Sequence, residues 1–148
     1  MTNSRAASKL WLWLALAAVL LAMVVLFWGF ADPTRWIIVE TTGLPWPKSA
    51  EVLGSDYQEA GPFGTDFVRT IHLEMSQADA NAWLQSSPFG GRVAWQSGPV
   101  TPIESQLFPI SVGDDPTLRS AKADLESEQA LLVIQPQTGE AWLQIWND

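Results

Sequence analysis

The chain has no cysteine. That excludes disulfides, thiol catalysis, cysteine-held zinc or iron–sulfur centres and a lipid anchor on cysteine. Histidine occurs once, as His72, so a site built on several imidazoles is also excluded within this chain. Bases are scarce: 8 Lys and Arg stand against 16 Asp and Glu, for a formal net charge of −8. Such a balance argues against nucleic acid as a partner. There is no Walker-type loop, no dinucleotide fingerprint and no EF-hand loop. Ser76, Ser105 and Ser111 lack the Gly-x-Ser-x-Gly setting of a nucleophile elbow. No repeat or low-complexity segment is present.

What the chain does have is an unbroken apolar run from Leu10 to Phe30. At about 1.5 Å per residue it makes a helix of about 31 Å, the thickness of a bilayer's hydrocarbon core. The run predicts one transmembrane helix over residues 10–30. Trp11 and Trp13 open it, Trp28 closes it and Trp36 follows. Indole rings favour the headgroup level, so these four are expected at the two membrane interfaces. Arg5 and Lys9 precede the run without an acid, whereas Asp32 and Arg35 after it cancel. Positive flanks stay inside, so residues 1–9 are expected to be a cytoplasmic tail and the rest to lie outside. The expected location is the inner (cytoplasmic) membrane, with the C-terminal domain periplasmic or extracellular. Cleavage near Ala31 is the rival reading, but the run exceeds the usual 7–15 residues or so of a signal-peptide core.

Beyond the span, residues 31–49 read as a juxtamembrane connector rich in Pro and Trp. Leu44-Pro45-Trp46-Pro47 is stiffened because each proline restricts the residue before it. Residues 50–148 are expected to fold as one extracytoplasmic α+β domain. Glu51–Gln58 and Asp66–Met75 flank the turn cluster Gly61-Pro62-Phe63-Gly64 and predict a first hairpin. Period-two alternation in Asp66–Met75 places Phe67, Ile71, Leu73 and Met75 on one face and Val68, Thr70, His72 and Glu74 on the other. Ser76, with Asp79 three residues on, predicts the cap of a helix over Gln77–Gln85. Residues 92–112 are ambiguous, with Val93-Ala94-Trp95 a candidate strand and Pro99, Pro102 and Pro109 favouring loop or sheet edge. Asp114-Asp115-Pro116 predicts a turn or short helix to about Ala123. A second hairpin is expected from Ala130–Gln135 and Glu140–Trp146 about the turn Pro136-Gln137-Thr138-Gly139.

The second arm of that hairpin separates Ala141, Leu143 and Ile145 from Trp142, Gln144 and Trp146. The Trp-bearing face is either a second buried layer or a contact surface, and these three residues are the candidate partner contacts. His72 with Glu74 is a candidate acid–base pair, but i and i+2 on a strand are only same-face neighbours, and a Ser–His–acid set could also assemble from residues distant in the chain. Asp114, Asp115, Asp124, Glu126 and Glu128 read as a solvated acidic stretch. Alanines 15, 17, 18 and 22 give the span a possible smooth face for helix packing. The sequence therefore predicts no catalytic, cofactor or metal site. It predicts a non-catalytic, single-pass accessory subunit of a larger membrane complex, of a respiratory, photosynthetic or transport kind. Its partners would be the lipid bilayer and other integral membrane proteins. The alternative is a membrane-anchored sensor or binding module that holds a small molecule or envelope polymer in a Trp-lined groove.

Overall fold

The structure, a computed structural model, describes residues 13–23, 33–60 and 66–147. It divides into two compact units, Met1–Pro33 and Thr34–Asp148. In the first, residues 13–23 are helical (α1). They carry part of the run predicted to span a membrane; both ends of that run lie outside the described residues. Among the described residues no helix is long and apolar enough to cross a membrane.

The second unit is α+β. Helix α2 (Pro33–Thr42) is followed by strands β1 (Glu51–Ala60) and β2 (Asp66–Glu74) and helix α3 (Gln77–Gln85). A short 3₁₀ turn (Phe89–Gly91), the two-residue strand β3 (Gln96–Ser97) and a single turn, α4 (Ile110–Gly113), come next. Strands β4 (Arg119–Asp124), β5 (Gln129–Gln135) and β6 (Glu140–Trp146) complete it. The six strands make one antiparallel sheet in the order β1-β2-β6-β5-β4-β3. Both expected hairpins form, and the pairing of β2 with β6 joins them, with Ile71 opposite Leu143 and His72 opposite Trp142.

Two cores sit on the two faces of this sheet. On one, Ile71, Leu73, Leu132, Ile134, Leu143 and Ile145 pack under α2 and α3, which supply Ile38, Ala80 and Trp83. On the other, Leu131, Val133, Trp142 and Trp146 pack under the segment 100–118, which supplies Phe108 and Leu118. Strands β5 and β6 therefore bury both faces, which explains why their sequences are nearly continuous apolar runs.

Helix α2 opens on Pro33, whose fixed φ suits a first turn. It closes at Gly43 (φ 69°), whose N–H donates to the Val39 carbonyl at 3.0 Å. Residues 34–49 of the expected connector belong to the second unit, where Ile38 and Leu44 are core residues. The indole N–H of Trp83 donates to the Pro45 carbonyl at 2.8 Å and pins it there. Helix α3 begins where Ser76 predicts, with Ser76 Oγ accepting from the Asp79 N–H at 3.2 Å. The capping box is closed through a third residue. Ser76 N–H donates to Ser49 Oγ (2.8 Å), and Ser49 donates its N–H and hydroxyl to Asp79 Oδ2 (2.9 and 2.6 Å).

Two expectations fail locally. Residues 119–124, expected as turn or short helix, form strand β4, which pairs along its length with β5. Alanines 121 and 123 fill the narrow space on the helical face. The candidate strand at Val93-Ala94-Trp95 falls instead at Gln96–Ser97, because Val93 and Trp95 turn into the core and Trp95 donates its indole N–H to the Ser86 carbonyl at 2.9 Å.

Candidate functional site

An open groove of about 740 Å³ lies beside α2 in the second unit. Trp36, Ile37, Glu40 and Thr41 form its helical wall. Tyr57 and Phe67 of the first hairpin, with Arg69 and Ile145, form its floor, and Phe89, Gly90, Arg92, Leu125 and Glu128 close the remaining sides. The positions follow from the fold. Phe67, Arg69 and Ile145 are on the helical face by strand alternation, at the end of β2 and β6 that α3 leaves uncovered.

The aromatic floor is ordered by stacking. Tyr57 and Phe67 lie with ring centroids 5.6 Å apart and an interplanar angle of 26°. The Arg69 guanidinium lies over the Tyr57 ring at 5.0 Å, a cation–π contact. Trp36 stands at the rim, 66% exposed. The wall at Phe89-Gly90-Gly91 is unusual: all three residues have positive φ (54°, 65° and 80°). For the buried Phe89 that is a left-handed backbone in a bulky side chain, which is strained. Gly43 packs against it so closely that a Cβ there would lie 3.0 Å from the Gly90 nitrogen.

The charges of the groove are of both signs. Arg69, Arg92, Glu40 and Glu128 all line it, and among the described residues none of the four makes an ion pair. Of the other four cations of this unit, Lys48 acts through its charge on Asp79 and three make contacts elsewhere. Arg119 donates to the Thr117 and Leu118 carbonyls, Lys122 lies over Trp146 at 5.1 Å and Arg35 over Trp46 at 5.8 Å.

The expected site residues are dispersed. Trp11 and Trp28 lie outside the described residues; Trp13 is exposed on α1 and Trp36 on α2. Trp142, Gln144 and Trp146 are buried under the chain's own segment 100–118. Trp142 donates its indole N–H to the Leu107 carbonyl at 2.7 Å. Gln144 accepts the Ile103 N–H (2.9 Å) and donates to the Ile103 carbonyl (2.8 Å) and to Thr70 Oγ1 (3.2 Å).

His72 stacks on Trp142 with centroids 4.8 Å apart. Its Nε2 is buried, 3.3 Å from Glu140 Oε1 but aligned for no hydrogen bond. The neighbouring carboxylate is therefore Glu140, not the exposed Glu74. Ser76 caps α3 and Ser105 Oγ accepts the Leu107 N–H at 3.2 Å, so both hydroxyls serve turns. Asp115 accepts from the Thr117 N–H and hydroxyl (both 2.7 Å) and from Gln135 (2.8 Å); these bonds, the Thr117 N–H first, hold its pKa below the ordinary value. Among the described residues no group of three or more His, Asp or Glu is placed to hold a metal ion. The turn residues Phe63 and Gly64 lie outside the described residues.

The groove was not legible in the sequence. Trp36 drew attention as an interfacial residue, but Tyr57, Arg69 and Arg92 are isolated in the chain and are brought together by the β1–β2 hairpin and the turn after α3. Comparison of the chain with protein-family models, with curated proteins and with solved structures finds no match.

Proposed function

We propose that the chain is a single-pass membrane protein, anchored through residues 10–30 with its N-terminus in the cytoplasm. Its acidic α+β domain acts outside as a non-catalytic accessory subunit of a larger inner-membrane complex. The anchor packs beside partner helices and the domain caps or bridges the partner's outer face. The observation that supports a docking role is the state of β1. It is a ten-residue strand at the sheet edge, and among the described residues nothing pairs with its outer side. An open edge of that length is a ready template for another chain. Leu53, at the irregularity between Val52 and Gly54, and Tyr57 are each 47% exposed along it.

The test is co-purification of the tagged full-length chain in mild detergent, with mass spectrometry of what comes with it. A constant set of integral membrane proteins is expected. Leu53→Asp should release them while leaving the melting temperature nearly unchanged, because surface changes away from caps and cores usually cost within about 0.5 kcal/mol. A chain that always purifies alone would sink the reading. The aromatic groove beside α2 favours a second reading, an anchored binding module, and its charges define what it would bind.

A further inference from the structure

Four charged side chains without ion-pair partners among the described residues line one groove: Arg69 and Arg92, Glu40 and Glu128. Among the described residues neither guanidinium donates a hydrogen bond, and Arg69 lies on the Tyr57 ring. A simple anion would meet the two carboxylates, and a simple cation the two guanidinium groups. A ligand carrying both charges a few atoms apart satisfies both sets. Aromatic faces at the rim, above all the exposed Trp36, suit an ammonium group.

The chain also limits where such a ligand comes from. Six Cα–Cα steps lead from Phe30, the end of the predicted span, to Trp36 on the groove's wall. At no more than about 3.6 Å per residue they reach about 20 Å, so an anchored chain holds this wall close to the headgroup layer.

The geometry points to the groove as a site for a zwitterionic phospholipid headgroup. The phosphate is taken by Arg69 and Arg92, and the ammonium by Glu40 and the face of Trp36. The inference rests on the anchored reading above and names the ligand of the groove. Bound this way, the headgroup fixes the domain's orientation on the bilayer and leaves the β1 edge free for a protein partner.

The experiment is calorimetric titration of the full-length chain in mild detergent with short-chain probes. Dihexanoyl phosphatidylethanolamine should bind saturably, more tightly than dihexanoyl phosphatidylglycerol, phosphoethanolamine alone or phosphate-free dihexanoylglycerol. The double variant Arg69→Gln, Arg92→Gln should weaken binding about tenfold or more, the cost of losing charge-assisted hydrogen bonds. Arg92→Gln alone, at an exposed turn position, should weaken it in the same direction and guards against a folding defect in the double variant. Glu40→Gln should erase the preference for ethanolamine over glycerol.

Equal binding of the glycerol headgroup, of soluble phosphoethanolamine or of the phosphate-free lipid would overturn the assignment. So would unchanged affinity in the folded Arg92→Gln chain. Extraction of membranes at alkaline pH separates the two claims. A chain released from the membrane that still binds the headgroup sinks the anchor and keeps the site. A chain that stays in the membrane and binds none of the probes sinks the site alone.

Discussion

Gln144 shows how much one polar side chain can determine. It is fully buried on the sheet face that segment 100–118 covers, and its amide meets both backbone groups of Ile103 as a neighbouring strand would. Gln144→Leu keeps the approximate volume but leaves a buried N–H and a buried carbonyl without partners. Each such group costs about 1–3 kcal/mol, so the midpoint of urea unfolding should fall markedly. Val133→Ala, next to it in the same layer, should cost only what a lost pair of methyls and the resulting cavity cost. Gly139 is a second such residue. Its φ is 80°, and a Cβ there would overlap the Met75 carbonyl oxygen. Its own carbonyl accepts the Met75 N–H at 2.9 Å. Gly139→Ala should lower stability by about 3 kcal/mol or more, or prevent folding; thermal melting of the purified variant checks this.

At the scale of elements, the start of α3 carries a pH dependence of known sign. Hydrogen bonds from the Ser49 hydroxyl and then its N–H, together with the Lys48 charge, hold the Asp79 carboxyl below its ordinary value. Asp115 is lowered by Thr117 and Gln135. A carboxylate with a depressed folded-state pKa contributes stability above its unfolded value, near 3.9, and loses it as pH falls through the folded value. Chemical denaturation midpoints should therefore decline below about pH 4. Asp79→Asn and Asp115→Asn should each lower the plateau at neutral pH and flatten that acid limb. Both residues are only partly buried, at the surface, so the effects should be small and sensitive to salt. A midpoint in Asp79→Asn that follows the wild-type acid limb would show that the Ser49–Asp79 link contributes nothing.

At the scale of the whole molecule, the tests are of topology and of the two open surfaces. A phosphatase fused after Asp148 should be active outside the cytoplasm, and a fluorescent protein fused before Met1 should fold inside. The opposite pattern would reverse the domain's side and remove the proposed outer-face role. Trp36→Ala should leave folding intact, because the ring is mostly exposed. It should also reduce binding of the ethanolamine lipid in the titration described above.

Local signals carried the elements whose residues need only near neighbours. Alternation in Asp66–Glu74 announced β2, Ser76 announced the first turn of α3, and Pro136 to Gly139 announced the turn between β5 and β6. The apolar run at Leu10–Phe30 set the expectation of an anchor, and composition alone excluded thiol and multi-histidine chemistry. Tertiary structure decided the rest, because the determining partners are far apart in the chain. Arg119–Asp124 is a strand only because β5 offers its backbone. The Trp142 face is closed because segment 100–118 folds over it and Gln144 holds it there. The groove exists because a hairpin, a strained glycine turn and a helix meet at one end of the sheet. A sequence displays period and capping directly, since both act within a few residues. Which buried surface covers which is settled only when distant segments compete for the same apolar area.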